Sequence, residues 1–547
     1  MATAGPVAYF TMEVALDDAL PTYSGGLGVL AGDYLRSTAD LGLPVVAVTL
    51  LYRGGFFDQR VDEEGRQHEE RVEWSPEDLL EPLGERVSLE LDGRRVLVGA
   101  WRLLLEGAGG GVVPVYFLDT DLAENDEKAR TLTDRLYSGD EAHRLRQEAV
   151  LGLGGIALLQ ALGVEPSVFH MNEGHSALLV LRLLEQAAPE QVRARCAFTT
   201  HTPVPAGHDR FPLSTVAEIL GTATAERLAS LGLAETGELN MTELGILGSS
   251  FVNAVSQRHR EVTSEMFPGV EVSSVTNGVH AATWAGPSMA ALFDEHLEGW
   301  RVDNAMLRYA RAVDLDEIAG AHLEEKIRLL DQVVDRSGRR LDPHVLTIGI
   351  ARRATAYKQT TLLFTDIERL EALAGQHGPI QVLFSGKAHP RDLGGKALIK
   401  RVAEVSRLLS GSVEVVFLEQ YDLRLASLLV AGSDVWLNTP IKPNEASGTS
   451  GMKAAVNGVP SCSTLDGWWI EGCIDGATGW AVGGLGEGDD AGDLYDVLEE
   501  SVLPAYYKDP RRFEEIRRNA ISLNGSFFTT ERMAREYARA AYGLRAG

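Results

Sequence analysis

Val345-Leu-Thr-Ile-Gly-Ile-Ala-Arg-Arg-Ala-Thr-Ala-Tyr-Lys358 begins as an apolar, β-branched run and breaks off into a loop carrying two arginines and a lysine. A run that is apolar throughout, rather than alternating, is what a strand buried on both faces requires. The same pattern recurs at Val7–Thr11, Pro44–Leu51, Val112–Leu118, Cys196–Thr200, Ile380–Phe384, Val413–Leu418 and Asp434–Leu437, with helical patterns between. Short buried strands alternating with helices predict parallel sheets covered on both faces. From about Ala281 to Leu341 helical spacing dominates, as in Leu323, Ile327, Leu330, Val333 and Val334, before the Val345 strand begins. The chain therefore reads as α/β, with two doubly wound, Rossmann-like units, 1–280 and 281–547. The last helical stretch, Thr529 to Leu544, has no strand after it and must dock back on what is already built. Two such units imply a central cleft. Ligands of open α/β sheets bind beyond the carboxyl ends of strands, so the loops that follow strands are where chemistry is expected.

Length and composition narrow the function classes. A chain of 547 residues corresponds to roughly three to four average domains, or two large ones. Lys and Arg number 51 against 78 Asp and Glu, a net charge of −27. That surface repels nucleic-acid phosphates, yet leaves room for a local basic pocket that takes a small anion. Three cysteines, Cys196, Cys462 and Cys473, are too few and too scattered for a disulfide framework or a four-ligand zinc site. The first 35 residues hold no Lys or Arg, and the longest apolar stretch, Ala149–Leu159, falls short of the ~18 residues of a membrane span. A cytoplasmic protein with no metal, no membrane and no nucleic-acid partner is expected. The acidic segment Gly484–Glu500 reads as a solvated loop and helix start.

Four sets of loop residues stand out. Thr22-Tyr-Ser-Gly-Gly-Leu-Gly-Val-Leu-Ala-Gly-Asp33 can bring backbone N–H groups and a helix N-terminus to an anion, although a tight strand-to-helix turn accounts for it equally well. Gly152-Leu-Gly154-Gly-Ile-Ala157 imitates a dinucleotide fingerprint, but helical spacing precedes it, so its glycines are read as permitting close helix packing. His170-Met-Asn-Glu-Gly-His175, Thr199-Thr-His-Thr-Pro203 and Val275-Thr-Asn-Gly-Val-His280 with Trp284 place Asn, Glu and His at strand ends, which suits a polyhydroxylated ligand. Arg352, Arg353 and Lys358 follow the Val345 strand and suit phosphate. Finally, Lys442-Pro-Asn-Glu-Ala-Ser-Gly-Thr-Ser-Gly-Met-Lys-Ala-Ala-Val-Asn-Gly458 leads to Thr464-Leu-Asp-Gly-Trp-Trp-Ile-Glu471. There Lys453 falls among small residues, where a destabilised ammonium favours a neutral amine able to form a Schiff base.

With these motifs the chain resembles the α-glucan phosphorylases that act on glycogen, starch and maltodextrin, in their shorter prokaryotic branch. The likeness rests on "EASGTSGMKAAVNG", "SGGLGVLAGDYL", "TNGVHAATW", "RRATAYK", "RLRQE" (Arg144–Glu148), "HMNEGHSAL" and "TTHTPVPAG", in order along nearly the whole chain. The resemblance implies the GT-B glycosyltransferase architecture and reversible phosphorolysis of terminal α-1,4-linked glucose by orthophosphate, giving α-glucose 1-phosphate. It implies that Lys453 holds pyridoxal 5′-phosphate, whose own phosphate relays a proton. Arg353 and Lys358 would bind the substrate phosphate, helped by the Gly26 amide. Glu445, Ser447, Gly448 and Asn277 would meet the sugar, and Arg352, Thr449, Tyr421 and Trp284 would line the cofactor. His201 would lie in the cleft. Homodimers are usual in that family, and one is expected here.

Two departures from the family pattern appear. Leu244–Asn253 resembles a stretch where larger relatives carry a sugar-contacting histidine, and Ser250 stands at that position, so looser selection at the exocyclic hydroxyl is expected. Glu13-Val14-Ala15 stands where an aromatic partner of the cofactor is usual. Two other functions compete. A nucleotide-sugar glucosyltransferase of the glycogen synthase kind explains the glycine loop but gives Lys453 no task. An inactive glucan-binding protein predicts eroded phosphate or cofactor residues, which are not seen.

Overall fold

The computed structural model describes residues 5–409, 411–486 and 488–544 and, at Ala206, the backbone alone. The continuous apolar runs form strands close to where their sequences predict them. Val7–Thr11, Val45–Leu50, Val112–Asp119 and Cys196–Thr199 join a ten-stranded sheet, and Leu346–Ala351, Ile380–Ser385, Val413–Leu418 and Val435–Asn438 join a six-stranded one. The six-stranded sheet is parallel throughout and is completed by Ser461–Thr464 and Gly479–Val482. No helix among the described residues is long and apolar enough to cross a membrane.

Strand order fixes where ligands can enter. In the larger sheet Val7–Thr11 lies between Val45–Leu50 and Val168–Asn172, so the chain winds outward in both directions from that point. In the smaller sheet Leu346–Ala351 lies between Ile380–Ser385 and Val435–Asn438 and plays the same part. Loops diverge at the carboxyl ends beside such switch points and leave a crevice. These two crevices form opposite walls of one cleft, the GT-B arrangement.

One edge departs from the parallel expectation. Arg94–Glu106 pairs antiparallel with Val112–Asp119, Val87–Leu91 and Glu81–Pro82. Asp92 and Gly93, both with positive φ, make the two-residue turn between Val87–Leu91 and Arg94–Glu106. Alternating burial along Val87–Leu91 gives a strand with one solvated face, which the search for continuous runs passes over.

The join is helical as predicted, and its longest element is Leu315–Ser337. That helix buries Lys326 and His322, which meet Asp434 at 2.5 and 3.0 Å at the start of a central strand. The Gly152–Gly155 segment is a helical passage. A Cβ on Gly152 would lie 2.7 Å from the Leu179 nitrogen, and one on Gly155 would lie 2.5 Å from the Phe10 ring. The closing helix, Thr530–Ala540, returns to the helix Gly26–Asp40 of the first half. It is held by a buried polar network. Tyr542 meets Tyr34 at 2.5 Å and His170 at 2.6 Å, while the Tyr537 hydroxyl meets Thr199 and Asn253 at 3.1 and 3.0 Å.

Candidate active site

The cleft has a volume of about 990 Å³ and is lined by every residue to which the family resemblance gives a role, Ser250 excepted. Of the strand-end set, His170, Asn172 and His280 do not line it and bond instead to Tyr542 and Thr199, to His201, and to Asp40. Ser250 is exposed and precedes the strand Phe251–Ala254, its amide bonded to the Arg193 and Cys196 carbonyls. It sits at the amino end of a parallel strand, the end away from the crevice. The expectation that Ser250 shapes the sugar pocket is therefore overturned.

From the smaller sheet, the helix Ser450–Val456 presents Lys453. Its Nζ lies 3.8 Å from the centroid of the Trp284 ring, and burial lowers its pKa to about 8. Asp33 counters that shift from across the indole, whose Nε1–H donates to the Asp33 carboxylate at 2.7 Å. Roughly a tenth of such an amine is neutral at pH 7, against less than about a thousandth for an ordinary lysine. Burial likewise raises the Tyr421 pKa.

The loop after Leu346–Ala351 splits its cations by role. Arg352 is buried and donates to the carbonyls of Lys358 and Leu437, so it braces the loop, and burial lowers its pKa to about 10. Lys358 pairs with Glu445, whose charge raises the lysine pKa despite burial. Arg353 is exposed and reaches toward the glycine loop, its Nη2 3.5 Å from where a Cβ on Gly25 would sit. Among the described residues no carboxylate pairs with it.

The loop Glu445–Thr449 turns through Gly448, whose φ of +79° is a conformation glycine adopts without strain. Glu445 is fixed through its own N–H, which donates to Asp466 at 2.8 Å. Burial pushes the Asp466 pKa up to about 6. Ser447 Oγ and, across the cleft, Asn277 Oδ1 are buried with no hydrogen-bond partner among the described residues, as ligand-directed groups would be.

The larger sheet supplies neutral donors and acceptors. Glu173, at a positive φ of 78°, accepts from the His201 N–H at 2.7 Å and the Thr202 hydroxyl at 3.0 Å. His201 Nε2 bonds Asn172 Oδ1 at 2.7 Å, and burial drives its pKa down to about 3, so it is neutral at working pH. Gly26 opens its helix, where an N–H has no intrahelical acceptor, and the residue before it, Gly25, has no side chain to cap the turn. The neighbouring amides are already occupied, because Glu13 accepts from Ser24 and Gly25 at 2.6 and 3.1 Å. Glu13 thus does structural work where the family pattern has an aromatic ring.

One group of cations in the cleft was missed from sequence. Lys387, His389 and Arg391 follow the strand Ile380–Ser385 and line the cleft. Their signal, cations directly after an apolar run, is the one that marks Arg352 and Arg353. Arg144 and Glu148, given from sequence only as part of a family motif, meet at 2.8 Å on the helix Glu141–Ala149, and Arg144 also reaches Asp209 at 3.2 Å beside His175.

Residues 208–475 match the family described as carbohydrate phosphorylase, and residues 7–277 match the starch synthase catalytic domain. The chain is 38% identical to the maltodextrin phosphorylase of Thermococcus litoralis, over 98% of this chain and 70% of that one. It is 37% identical to the glycogen phosphorylase of Mycobacterium tuberculosis, with the same two coverages. To the glycogen phosphorylase of Aquifex aeolicus it is 34% identical, over 98% of this chain and 86% of that one.

Proposed function

The chain belongs to the carbohydrate phosphorylase family, and from that premise we propose that it is an α-glucan phosphorylase, releasing terminal α-1,4-linked glucose as α-glucose 1-phosphate by reversible attack of orthophosphate. The observation that carries this reading is the pairing, in one cleft, of an arginine with no carboxylate partner among the described residues and a buried amine of lowered pKa. The starch synthase likeness ends at residue 277, before Arg353 and Lys453, and speaks for shared architecture. Neither a nucleotide-sugar transferase nor an inactive binding protein gives Lys453 a task.

Pyridoxal 5′-phosphate fits the residues present. Lys453 offers an amine that is partly neutral at physiological pH, Trp284 and Tyr421 offer aromatic faces, and Thr449 and Arg352 line the same wall. When bound, the cofactor supplies a phosphate that titrates near neutrality beside the reacting centre. Arg353, Lys358 and the Gly26 N–H neutralise the orthophosphate and aim its oxygens at the anomeric carbon. Glu445, Ser447 and the Gly448 backbone hold sugar hydroxyls from one side and Asn277 from the other. His201 stays neutral and serves as a hydrogen-bonding group rather than a charge. We read residues 1–280 and 281–547 as the two units, and the protein as a cytoplasmic homodimer.

The test is an assay for glucose 1-phosphate with maltoheptaose as donor, with and without orthophosphate. Strict dependence on orthophosphate is expected. Release of free glucose in phosphate-free buffer would make the protein a hydrolase instead. Borohydride reduction followed by peptide mass spectrometry should fix the cofactor to Lys453.

A further inference from the structure

The hairpin Asp58–Val61 and Gln67–Glu70 leaves the first half of the chain and docks against loops of the second. Its centre is two glutamines, Gln59 at 1% exposure and Gln67 at 5%. Gln59 Nε2 donates to the Gly386 carbonyl at 2.8 Å and to Gln67 Oε1 at 2.9 Å, while Gln59 Oε1 accepts from the Gln420 N–H at 3.0 Å. Gln67 grips Ala388 from both sides, donating to its carbonyl and accepting its N–H, each at 2.9 Å. Buried amides with every function engaged fix the backbone they hold, since leaving any one unpaired is costly.

What they hold is the segment beside the anion site. The Ala354 N–H donates to the Lys387 carbonyl at 3.0 Å and the Arg352 N–H to Ser385 at 3.2 Å, so residues 385–387 run alongside 352–354. Gly386 lies so close that a Cβ there would come within 2.1 Å of the Arg352 carbonyl. The Lys387 amine, which lines the cleft, donates to the Phe57 carbonyl at 3.0 Å, one residue before the hairpin. Among the described residues no carboxylate pairs with it, and two of its three N–H donors remain for a ligand.

We propose that Lys387 is a further binding residue for the anionic substrate and that Gln59 and Gln67 are positioning residues that hold Lys387 and Arg353 in register across the two halves of the chain. The inference rests on the phosphorolytic reading of the cleft and deepens it. It assigns the Asp58–Glu70 hairpin a task in phosphate recognition rather than in glucan recognition. Burial lowers the Lys387 pKa to about 8 against the opposing charges of Asp58 and Asp422, so the site holds its full charge only below that pH.

The test is a set of steady-state measurements on the full chain with maltoheptaose and orthophosphate. Gln59→Leu and Lys387→Met should each raise the KM for orthophosphate about tenfold and leave the KM for maltoheptaose within about twofold. The double variant should be no worse than the poorer single one, because both changes remove one arrangement. An unchanged KM for orthophosphate in both, or equal rises for both substrates, overturns the proposal. Binding is read separately as the rise in thermal midpoint caused by orthophosphate, which should shrink in both variants. If Gln59→Leu does not fold, Lys387→Met and Gln67→Glu carry the test alone, the second keeping both bonds its oxygen accepts. Should the wild type yield no glucose 1-phosphate while the midpoint shift still depends on Gln59 and Lys387, phosphorolysis falls and the positioning stands. Equal midpoint shifts in wild type and both variants overturn it.

Discussion

Arg352, Arg353, Lys358, Lys387 and Lys453 all reach the cleft from the half of the chain that builds the six-stranded sheet, whereas the facing wall contributes His201, Asn277 and the Gly26 amide. The cationic Arg144 on that facing wall is spent on Glu148 and Asp209. The side-chain cations assigned to phosphate thus stand on one wall, which also carries Glu445, Ser447 and Gly448 for the sugar, while the Gly26 amide faces them from the other. A reaction that brings orthophosphate to an uncharged sugar needs both a cationic set and a hydroxyl-binding set, and because different residues make up the two, each substrate can be weakened separately.

The comparison breaks most visibly at Lys453. Lys453→Ala should lower kcat by a factor on the order of 10³ or more and abolish the borohydride-fixed adduct, since no other amine on that wall shares its place over Trp284. Arg353→Ala should raise the KM for orthophosphate about 10- to 100-fold, the range for one charged hydrogen-bond donor, and spare the KM for glucan. A comparable rise for glucan would mean the two sets of groups do not act separately.

The pH dependence sharpens the same contrast. Because burial lowers the Lys453 pKa to about 8, the neutral amine accumulates as pH rises and saturates above that value. Cofactor-free protein should therefore take up pyridoxal phosphate several-fold faster at pH 8 than at pH 7, with a plateau near pH 9. A continued rise toward pH 10.5 would indicate an unperturbed lysine. His201→Ala provides the smallest effect, about a tenfold rise in the KM for glucan with orthophosphate unaffected. With its pKa at about 3, His201 should leave no inflection between pH 5 and 8 in the wild-type profile.

Much of this was legible because doubly buried strands write themselves as unbroken apolar runs. The polar groups that follow such runs, from Arg352 to Asn277, fall at a crevice. The rule fails where burial is one-sided, as in Val87–Leu91, and where it is not applied, as with Lys387 after Ile380–Ser385. Ser250 is instructive because the same rule excludes it. It precedes its strand, and short similarity to another chain outweighed strand polarity. The hold of Glu13 on the Ser24 and Gly25 amides joins residues about a dozen positions apart through space, and no local pattern announces it.

The Thr530–Ala540 helix has a consequence for how the molecule is made. Tyr537 and Tyr542 fill the region beside Tyr34 and His170, so the core of the larger sheet lacks two aromatic rings until they arrive. During translation the early strands emerge hundreds of residues ahead of those rings, and the second sheet must be threaded out in between. Nascent chains of this protein should therefore hold the first half in an unfinished, chaperone-accessible state until residue 542 clears the ribosome, rather than maturing one half after the other.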